Sequence, residues 1–221
     1  MIIHQIYFDF YGKGMNDLFK ESRKQFQLWC RENNYQYRLW TEADCDNLIF
    51  EYPQYVDMYL SARYKIMKID ILRFVMLHKY GGLYADLDVF PQIQELKKDK
   101  DLYFVLDKCN GGRKNLQYIT NEVLQIKEGH SFAINYLDYV KEQIRKKQDM
   151  DIYKTWKKRY VLQTTGVYAL TRYLKKGYYD FDFYTTNQLE FKKVTWDCIG
   201  LGDTENVDFK THQSESWYNA T

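Results

Sequence analysis

The chain has 221 residues, of which 32 are basic and 30 are acidic, so its net charge is only +2. This near balance argues against a dedicated nucleic-acid binder, because such proteins concentrate a larger basic excess. No apolar run approaches the length of a membrane span. The length suits one domain with a full core. We therefore expect a single domain over residues 1–221 and no nucleic-acid partner.

The cysteines and the start of the chain indicate the compartment. The four cysteines are widely spaced and form no Cys-x-x-Cys pair: Cys30, Cys45, Cys109 and Cys198. This pattern predicts reduced thiols and no zinc site. The chain opens directly with a strand-like apolar segment and shows no signal peptide. We therefore expect a cytoplasmic protein.

Hydrophobic periodicity predicts strands that alternate with helices along the whole chain. In the first half we expect strands at residues 2–10 and 35–40, and helices at 16–33, from Thr41 as the N-cap, after Pro53, and at 61–79. In the second half we expect strands at 83–89, 102–106, 122–126, 178–184 and 189–194, helical structure over most of 130–160, a turn at 161–166 and a helix at 167–174. This alternation predicts an α/β fold, in which ligands bind at the carboxyl ends of strands.

The most informative stretch is residues 80–91, which reads as a helix end, a strand and a strand end. Gly81 and Gly82 follow the long apolar helix, where a residue tolerant of positive φ is needed. The alternation after them would place Tyr84, Asp86 and Asp88 on one face of a strand. Two carboxylates on one face repel each other and are costly to desolvate, so a divalent cation would reconcile them. A half-exposed strand with a polar face is the alternative interpretation.

At this point the sequence resembles the DXD sugar transferases of glycosyltransferase family 32, whose relatives include fungal initiating mannosyltransferases and the large glucosylating bacterial toxins. The resemblance rests on Asp70 and Arg73 followed by the segment Tyr-Gly-Gly-Leu-Tyr-Ala-Asp-Leu-Asp at residues 80–88. Weaker similarity lies in residues 3–7, in residues 165–166 and in the closing segment 212–217. The resemblance implies a GT-A fold (α/β, Rossmann-like, with a central mixed sheet), a nucleotide-diphosphate sugar donor, a divalent metal and retention of anomeric configuration.

The resemblance also implies roles for single residues at the donor site. Asp88 would bind Mn²⁺ or Mg²⁺ directly, and Asp86 would hold the ribose and the outer shell of the metal. Asp70 would accept hydrogen bonds from sugar hydroxyls, and Arg73 would contact the sugar or a phosphate. Tyr84 would line the nucleotide pocket. The Asp70–Arg73 pair could alternatively be a plain pair on a helix surface.

Further roles come from the outer pieces of the resemblance. Tyr7 would stack on the base, although it could equally be a core residue, and His4 is expected in the core. His212 would complete the metal shell, while Ser216 and Trp217 would bind the diphosphate in a tail that closes over the donor. Gln163 would lie against the sugar. An imidazole ligand favours Mn²⁺ over Mg²⁺.

The predicted reaction is transfer of a hexose to a glycan or lipid-linked acceptor in surface polysaccharide synthesis. A UDP-linked donor is expected from the toxins, whereas mannosyl relatives use GDP. The basic run at residues 154–159 is either a solvated helix face or a site of attraction to anionic lipid, which would bring the protein to the inner membrane face.

Two other functions compete with this prediction. Residues 86–89 after an apolar strand resemble the nucleophile motif of haloacid-dehalogenase-like phosphatases, but that motif normally opens its domain, whereas about 80 residues precede it here. The other is a non-catalytic module that binds nucleotide sugars, which the retention of both Asp86 and Asp88 makes less attractive.

Overall fold

A computed structural model describes residues 1–109, 116–184, 186–188 and 208–212. The first half contains β1 (Ile2–Ile6), α1 (Asp17–Glu32), β2 (Gln36–Trp40), α2 (Glu42–Ile49), α3 (Pro53–Leu60), α4 (Lys65–Tyr80), β3 (Gly82–Ala85) and β4 (Val89–Pro91). The second half contains β5 (Leu102–Cys109), β6 (Leu116–Ile126), α5 (Ser131–Lys147), α6 (Asp151–Thr155), α7 (Lys157–Thr164), α8 (Val167–Leu174), β7 (Asp182–Tyr184), β8 (Thr186–Gln188) and β9 (Phe209–Thr211).

The strands form one large sheet and one small sheet. The large sheet has the order β2-β1-β3-β6-β5-β7, and the small sheet has the order β4-β9-β8. In the large sheet β1 runs parallel to β2 and β3, whereas β6 is antiparallel to both β3 and β5. The predicted α/β fold with a central mixed sheet is therefore confirmed.

Apolar side chains cover both faces of the large sheet. On one face the core includes Phe74 and Leu77 of α4, Phe132 and Tyr136 of α5, and Leu170 of α8. On the other face Phe26 and Trp29 of α1 pack with Val89 of β4 and Phe209 of β9, which belong to the small sheet. This double coverage explains why β1 and β3 are almost wholly buried.

The predicted end of the long helix is confirmed at Gly81. Its φ is +58°, and that of Gly82 is +99°. A Cβ added to Gly82 would lie 2.1 Å from the carbonyl oxygen of Ile2, because the backbone of β1 runs directly alongside. Only glycine can occupy this position, since the approach is to backbone and not to a flexible side chain. The two glycines thus allow β3 to pack directly against β1.

The prediction of one strand over residues 83–89 was wrong. The strand β3 ends at Ala85, and the chain then turns, with the amide of Val89 donating to the carbonyl of Asp86 at 3.1 Å. After this turn β4 leaves the large sheet and pairs with β9. Asp86 and Asp88 therefore lie in the turn between two sheets, not on one strand face, and Tyr84 is buried.

Other boundaries also differ from prediction. The first strand ends at Ile6 instead of residue 10, α4 begins at Lys65 instead of residue 61, and β7 begins at Asp182 instead of residue 178. The helical stretch at 130–160 is divided into α5, α6 and the start of α7, and residues 161–164 are helical where a turn was expected. The predicted helix at Val167–Leu174 is confirmed. The expected strand at 189–194 lies outside the described residues.

Three further expectations can be compared with the described part. Within it, no helix is both long enough and apolar enough to cross a membrane. Cys30 and Cys45 are buried free thiols, as predicted, and burial raises the pKa of Cys30 to about 12. His4 is fully buried and lies in the core, as expected.

Candidate active site

The candidate site lies where β1 and β3 end, at the carboxyl edge of the large sheet. Asp86 immediately follows β3, and Tyr7 immediately follows β1. The amide of Asp86 donates to the carbonyl of Glu122 on β6 at 2.8 Å. The side chain of Gln5 donates to the carbonyl of Asp86 at 3.3 Å. The turn that carries the motif is thus fixed by backbone and side-chain bonds from the strands on either side.

The Asp70–Arg73 pair is buried beneath this turn. Nη2 of Arg73 lies 2.9 Å from Oδ1 of Asp70, and the two side chains are only 2% and 4% exposed. The alternative of a plain surface pair is therefore wrong. A buried ion pair persists only when further hydrogen bonds satisfy its remaining polar atoms, and here two other elements supply them.

Asn121 and Thr165 complete the surroundings of Asp70. The amide of Asn121 donates to Oδ1 at 3.0 Å, and the hydroxyl of Thr165 donates to Oδ2 at 2.6 Å. Nη1 of Arg73 donates to the main-chain carbonyl of Asn121. A carboxylate offers about four acceptor positions, so three protein donors leave one position on Oδ2 for a ligand. The pair is consequently held from α4, β6 and the end of α7.

Arg73 connects this buried pair with the turn. Its Nη2 lies 3.6 Å from Oδ1 of Asp86, and its guanidinium carbon lies 4.7 Å from the centre of the Tyr84 ring. The hydroxyl of Tyr84 donates to the same Asp86 oxygen at 2.5 Å. Nε of Arg73 is buried and meets no hydrogen-bond partner among the described residues.

The charge on Asp86 is finely balanced. Burial raises the pKa of its carboxyl to about 6, Arg73 opposes that shift, and the neighbouring Asp88 adds to it. The turn carries the carboxylates of Asp86 and Asp88, whereas the single guanidinium of Arg73 is shared between Asp86 and Asp70. The turn therefore has excess negative charge. Such an arrangement favours binding of a cation.

Asp88 and His212 are brought together by the small sheet. The antiparallel pairing of β4 with β9 places Val89 opposite Thr211, and the amide of His212 donates to the carbonyl of Asp88 at 2.9 Å. The His212 ring is exposed and lies 4.9 Å, centre to centre, from that of Phe90. Within the described ranges no group of three or more His, Cys, Asp or Glu side chains is arranged to hold a metal ion.

The remaining predicted site residues lie at different distances from this centre. The hydroxyl of Tyr7 is buried without a partner in the described part of the chain, although its side chain is half-buried. Gln163 accepts from the Arg172 side chain, and its carbonyl accepts from the same residue at 2.8 Å. Although Gln163 lies only two residues before Thr165 in the chain, its side chain is bonded to Arg172 and not to Asp70. Ser216 and Trp217 fall outside the described residues.

Asn121 was not predicted, and Thr165 was recognised only as part of a weak similarity. Asn121 lies within β6 one residue before the predicted strand at 122–126, where nothing in the local pattern marks it as a contact of a residue 51 positions earlier. Thr165 and Gly166 were expected in the same turn as Gln163, close to the sugar, and the contact of Thr165 with Asp70 was not predicted.

Comparison with known proteins gives two family matches. The family described as "Glycosyltransferase sugar-binding region containing DXD motif" matches residues 19–101. The family described as "TcdA/TcdB catalytic glycosyltransferase domain" matches residues 68–159. Both segments include Asp70, Arg73, Asp86 and Asp88, so the matches coincide with the geometric centre of the site.

Curated relatives and a solved structure agree with these matches. Inositol phosphoceramide mannosyltransferase 3 of Schizosaccharomyces pombe is 42% identical over 57 residues, which are 25% of this chain and 16% of that protein. Mannosyl phosphorylinositol ceramide synthase SUR1 of Saccharomyces cerevisiae is 34% identical over 90 residues, which are 39% of this chain and 22% of that protein. The chain therefore matches less than a quarter of the length of each relative.

The solved structure is described as PaToxG Glycosyltransferase. It superposes with a TM-score of 0.53 at 14% identity and covers 80% of this chain and 69% of that one. At this identity the likeness concerns the fold alone. It covers 80% of this chain, whereas the curated relatives cover 25% and 39%.

Proposed function

Because the chain is a glycosyltransferase family 32-like DXD transferase with a GT-A fold, we propose that it moves a hexose from a nucleotide-diphosphate sugar to a lipid-linked acceptor. We further propose that it does so with a divalent metal and with retention of anomeric configuration. The observation that carries the proposal is the chain of contacts from Asp70 through Arg73 to Asp86, with Asp88 two residues beyond.

We infer that Asp86 and Asp88 would supply hard oxygen ligands to a divalent metal. The exposed His212 would be the third ligand, because its amide donates to the carbonyl of Asp88. A metal held there would stabilise the negative charge on the departing diphosphate. The mixed oxygen and imidazole set favours Mn²⁺ over Mg²⁺.

The protein's own groups would hold the donor in a fixed orientation. The unused Nε of Arg73 can donate to a sugar or phosphate oxygen, and the remaining acceptor position on Oδ2 of Asp70 can receive one sugar hydroxyl. Tyr84 fixes Asp86 through its hydroxyl at 2.5 Å, so the pocket beside the ribose is set before the donor arrives. Such preorganised polar groups act on the transition state without reorganising.

Roles for the other predicted residues belong to the same proposal. Tyr7 would contact the base from the end of β1, and Ser216 with Trp217 would cover the diphosphate. Gln163 would act through Arg172, because its side chain is bonded to that residue.

The printed names of the curated relatives support a lipid acceptor. Both relatives described above transfer mannose to a phosphoinositol ceramide, by their names. We infer that this chain also glycosylates a lipid-linked acceptor with a polar head group, at the cytoplasmic face of a membrane and in the synthesis of a surface glycan. A UDP-linked sugar remains the predicted donor, and the relatives make a mannosyl donor its main competitor.

The test is a donor screen with release of nucleoside diphosphate as the readout. UDP-glucose, UDP-galactose and GDP-mannose would each be incubated with the full chain, with Mn²⁺, with Mg²⁺ and with a chelator. We expect release from one donor and loss of release with the chelator. Asp88→Asn should abolish release, whereas Asp17→Asn, a matched change at a fully exposed site on α1, should leave it intact. Release of phosphate from a simple phosphomonoester without any nucleoside diphosphate would contradict the proposal.

A further inference from the structure

The net positive charge of the chain is concentrated in residues 145–159, which are called the basic-aromatic surface below. It contains seven basic and two acidic residues, whereas the rest of the chain carries 25 basic and 28 acidic ones. The molecule is thus slightly negative apart from this surface. It comprises the last turn of α5, all of α6 and the first residues of α7.

Large apolar side chains are exposed within the same surface. Met150 is 47% exposed, Ile152 is 44% exposed and Trp156 is 58% exposed. The neighbouring Tyr153 and Tyr160 point the other way, into a small core with Met67 and Val161. The two short helices are therefore anchored by tyrosines on one side and present an isoleucine and a tryptophan on the other.

Charge and apolar groups are interleaved in this surface. The guanidinium of Arg159 lies 5.6 Å from the centre of the Trp156 ring, and the side chain of Lys154 is paired with Asp151 at 2.7 Å. Trp with neighbouring Lys and Arg is the composition of a segment that lies in the interface of a bilayer, because the rings enter the headgroup region while the cations meet anionic lipid. A surface for nucleic acid would need the cations but not the isoleucine and methionine.

We propose that the basic-aromatic surface docks the protein onto a membrane that contains anionic phospholipid. The charge of the surface is complementary to such a membrane, and Ile152 and Trp156 supply the apolar insertion. Each Lys or Arg close to an anionic bilayer strengthens binding roughly fivefold, so several act together even where single contributions are modest.

Docking at the basic-aromatic surface would also position the candidate site relative to the membrane. Helix α7 begins in the surface at Lys157 and ends at Thr164, and the next residue, Thr165, donates to Asp70. Eight helical residues span about 12 Å. Docking would hold the site about that far above the headgroups, within reach of a sugar acceptor that projects from a lipid. This consequence rests on the proposed function, but the docking itself does not.

The test is co-sedimentation of the full chain with vesicles of phosphatidylcholine, with and without phosphatidylserine, in the absence of any nucleotide sugar. We expect binding only to the vesicles that contain phosphatidylserine, and weaker binding at high salt because exposed charges are screened. Absence of binding to the anionic vesicles would overturn the proposal. Because no donor is present, failure here would leave the proposed transfer reaction untouched, and failure of the donor screen would leave this proposal untouched.

Matched variants separate this surface from general charge. The double variant Lys158→Gln with Arg159→Gln should weaken vesicle binding roughly tenfold or more. Arg23→Gln with Lys24→Gln removes the same charge from two exposed positions on α1 and should have little effect. Equal losses in the two double variants would show that overall charge, not this surface, governs binding, and would overturn the proposal.

A second pair of variants tests the apolar insertion. Trp156→Ser should weaken vesicle binding roughly tenfold, whereas Phe50→Ser, at a position 61% exposed near the end of α2, should not. All six altered positions in these variants are at the surface, so unchanged donor-dependent release and circular dichroism would show that folding is intact. Wild-type binding by Trp156→Ser would indicate a purely electrostatic surface for polyanions and would contradict docking by insertion.

Discussion

The candidate site has an inner half and an outer half that are built in different ways. The inner half, Asp70, Arg73, Asn121 and Thr165, is buried and joined by short hydrogen bonds from three elements. The outer half, Asp88 and His212, is more exposed and lies where the small sheet meets the turn. The contrast indicates that the inner half serves folding as well as binding, whereas the outer half lies nearer to solvent, where a ligand can reach it.

The largest expected effect concerns the outer half. Asp88→Asn keeps the shape of the side chain but removes its charge, so nucleoside diphosphate release should fall by about two to three orders of magnitude, as when an electrostatic stabiliser of a transition state is lost. The free energy of unfolding in urea should stay within about 0.5 kcal/mol of wild type. A large loss of stability in this variant would break the distinction between the halves.

The matching change in the inner half should act on both quantities. Asp70→Asn leaves Arg73 buried with only the more distant Asp86 as its anionic partner, at 3.6 Å. Breaking a buried pair by removing one member costs about 3 kcal/mol or more. We therefore expect the urea midpoint to fall together with activity. Wild-type stability in Asp70→Asn would show that the inner half is no more structural than the outer one.

Lowering the pH tests the buried core. The buried His4 donates from Nε2 to the carbonyl of Gly81 at 2.9 Å and accepts from Trp40 at Nδ1 at 3.1 Å. Burial lowers the pKa of His4 to about 4, an effect that the Gly81 bond opposes and that Arg38 reinforces. The unfolded chain therefore binds the proton first as the pH falls, and stability is lost progressively between about pH 6.5 and pH 4.

Between pH 7 and pH 5 the free energy of unfolding should fall by about 2 kcal/mol on account of His4. His78 and His130, whose pKa values are also lowered by burial, add in the same direction. Asp86 acts in the opposite direction, because burial raises its pKa to about 6 and the folded chain therefore binds that proton first as the pH falls. His4→Gln should show a stability that falls less steeply with pH than that of wild type. Identical slopes in wild type and His4→Gln would exclude His4 as the source.

The smallest effect is expected at the end of α7. Thr165→Val removes the hydroxyl that donates to Oδ2 of Asp70 and leaves a buried acceptor unsatisfied, at a cost of about 1–2 kcal/mol. Thr164→Val is the matched control, because the Thr164 hydroxyl donates within its own helix, to the carbonyls of Tyr160 at 2.7 Å and Val161 at 3.4 Å. We expect Thr165→Val to reduce donor turnover more than Thr164→Val does. Equal turnover in the two variants would remove Thr165 from the inner half.

Local sequence was sufficient to predict those parts of the fold that local physics determines. The helix end at Gly81 follows from the need for positive φ, and the capping box formed by Thr41 and Asp44 at the start of α2 matches the prediction of Thr41 as an N-cap. Asp70 and Arg73 meet because residues three apart on a helix are neighbours. These features need no information from distant parts of the chain.

The features that were missed depend on distant contacts. The alternation of apolar and polar residues over 83–89 continues through the turn at Asp86. This alternation alone could not show that β4 leaves the strand and pairs with β9, some 120 residues later. Asn121 became part of the site through the register of β6 against β3, which sequence alone does not set. Single-domain organisation, the identity of the metal and the cytoplasmic location stay predictions.

The turn between the two sheets has a mechanical consequence. Asp86 is attached to the large sheet through Glu122, and Asp88 is attached to the small sheet through His212. A ligand that contacts both carboxylates therefore also links the two sheets, and the distance between the carboxylates depends on the relative position of the sheets. Crosslinks or insertions placed at the β4–β9 pairing, remote from the sugar, would then change the distance between the two carboxylates.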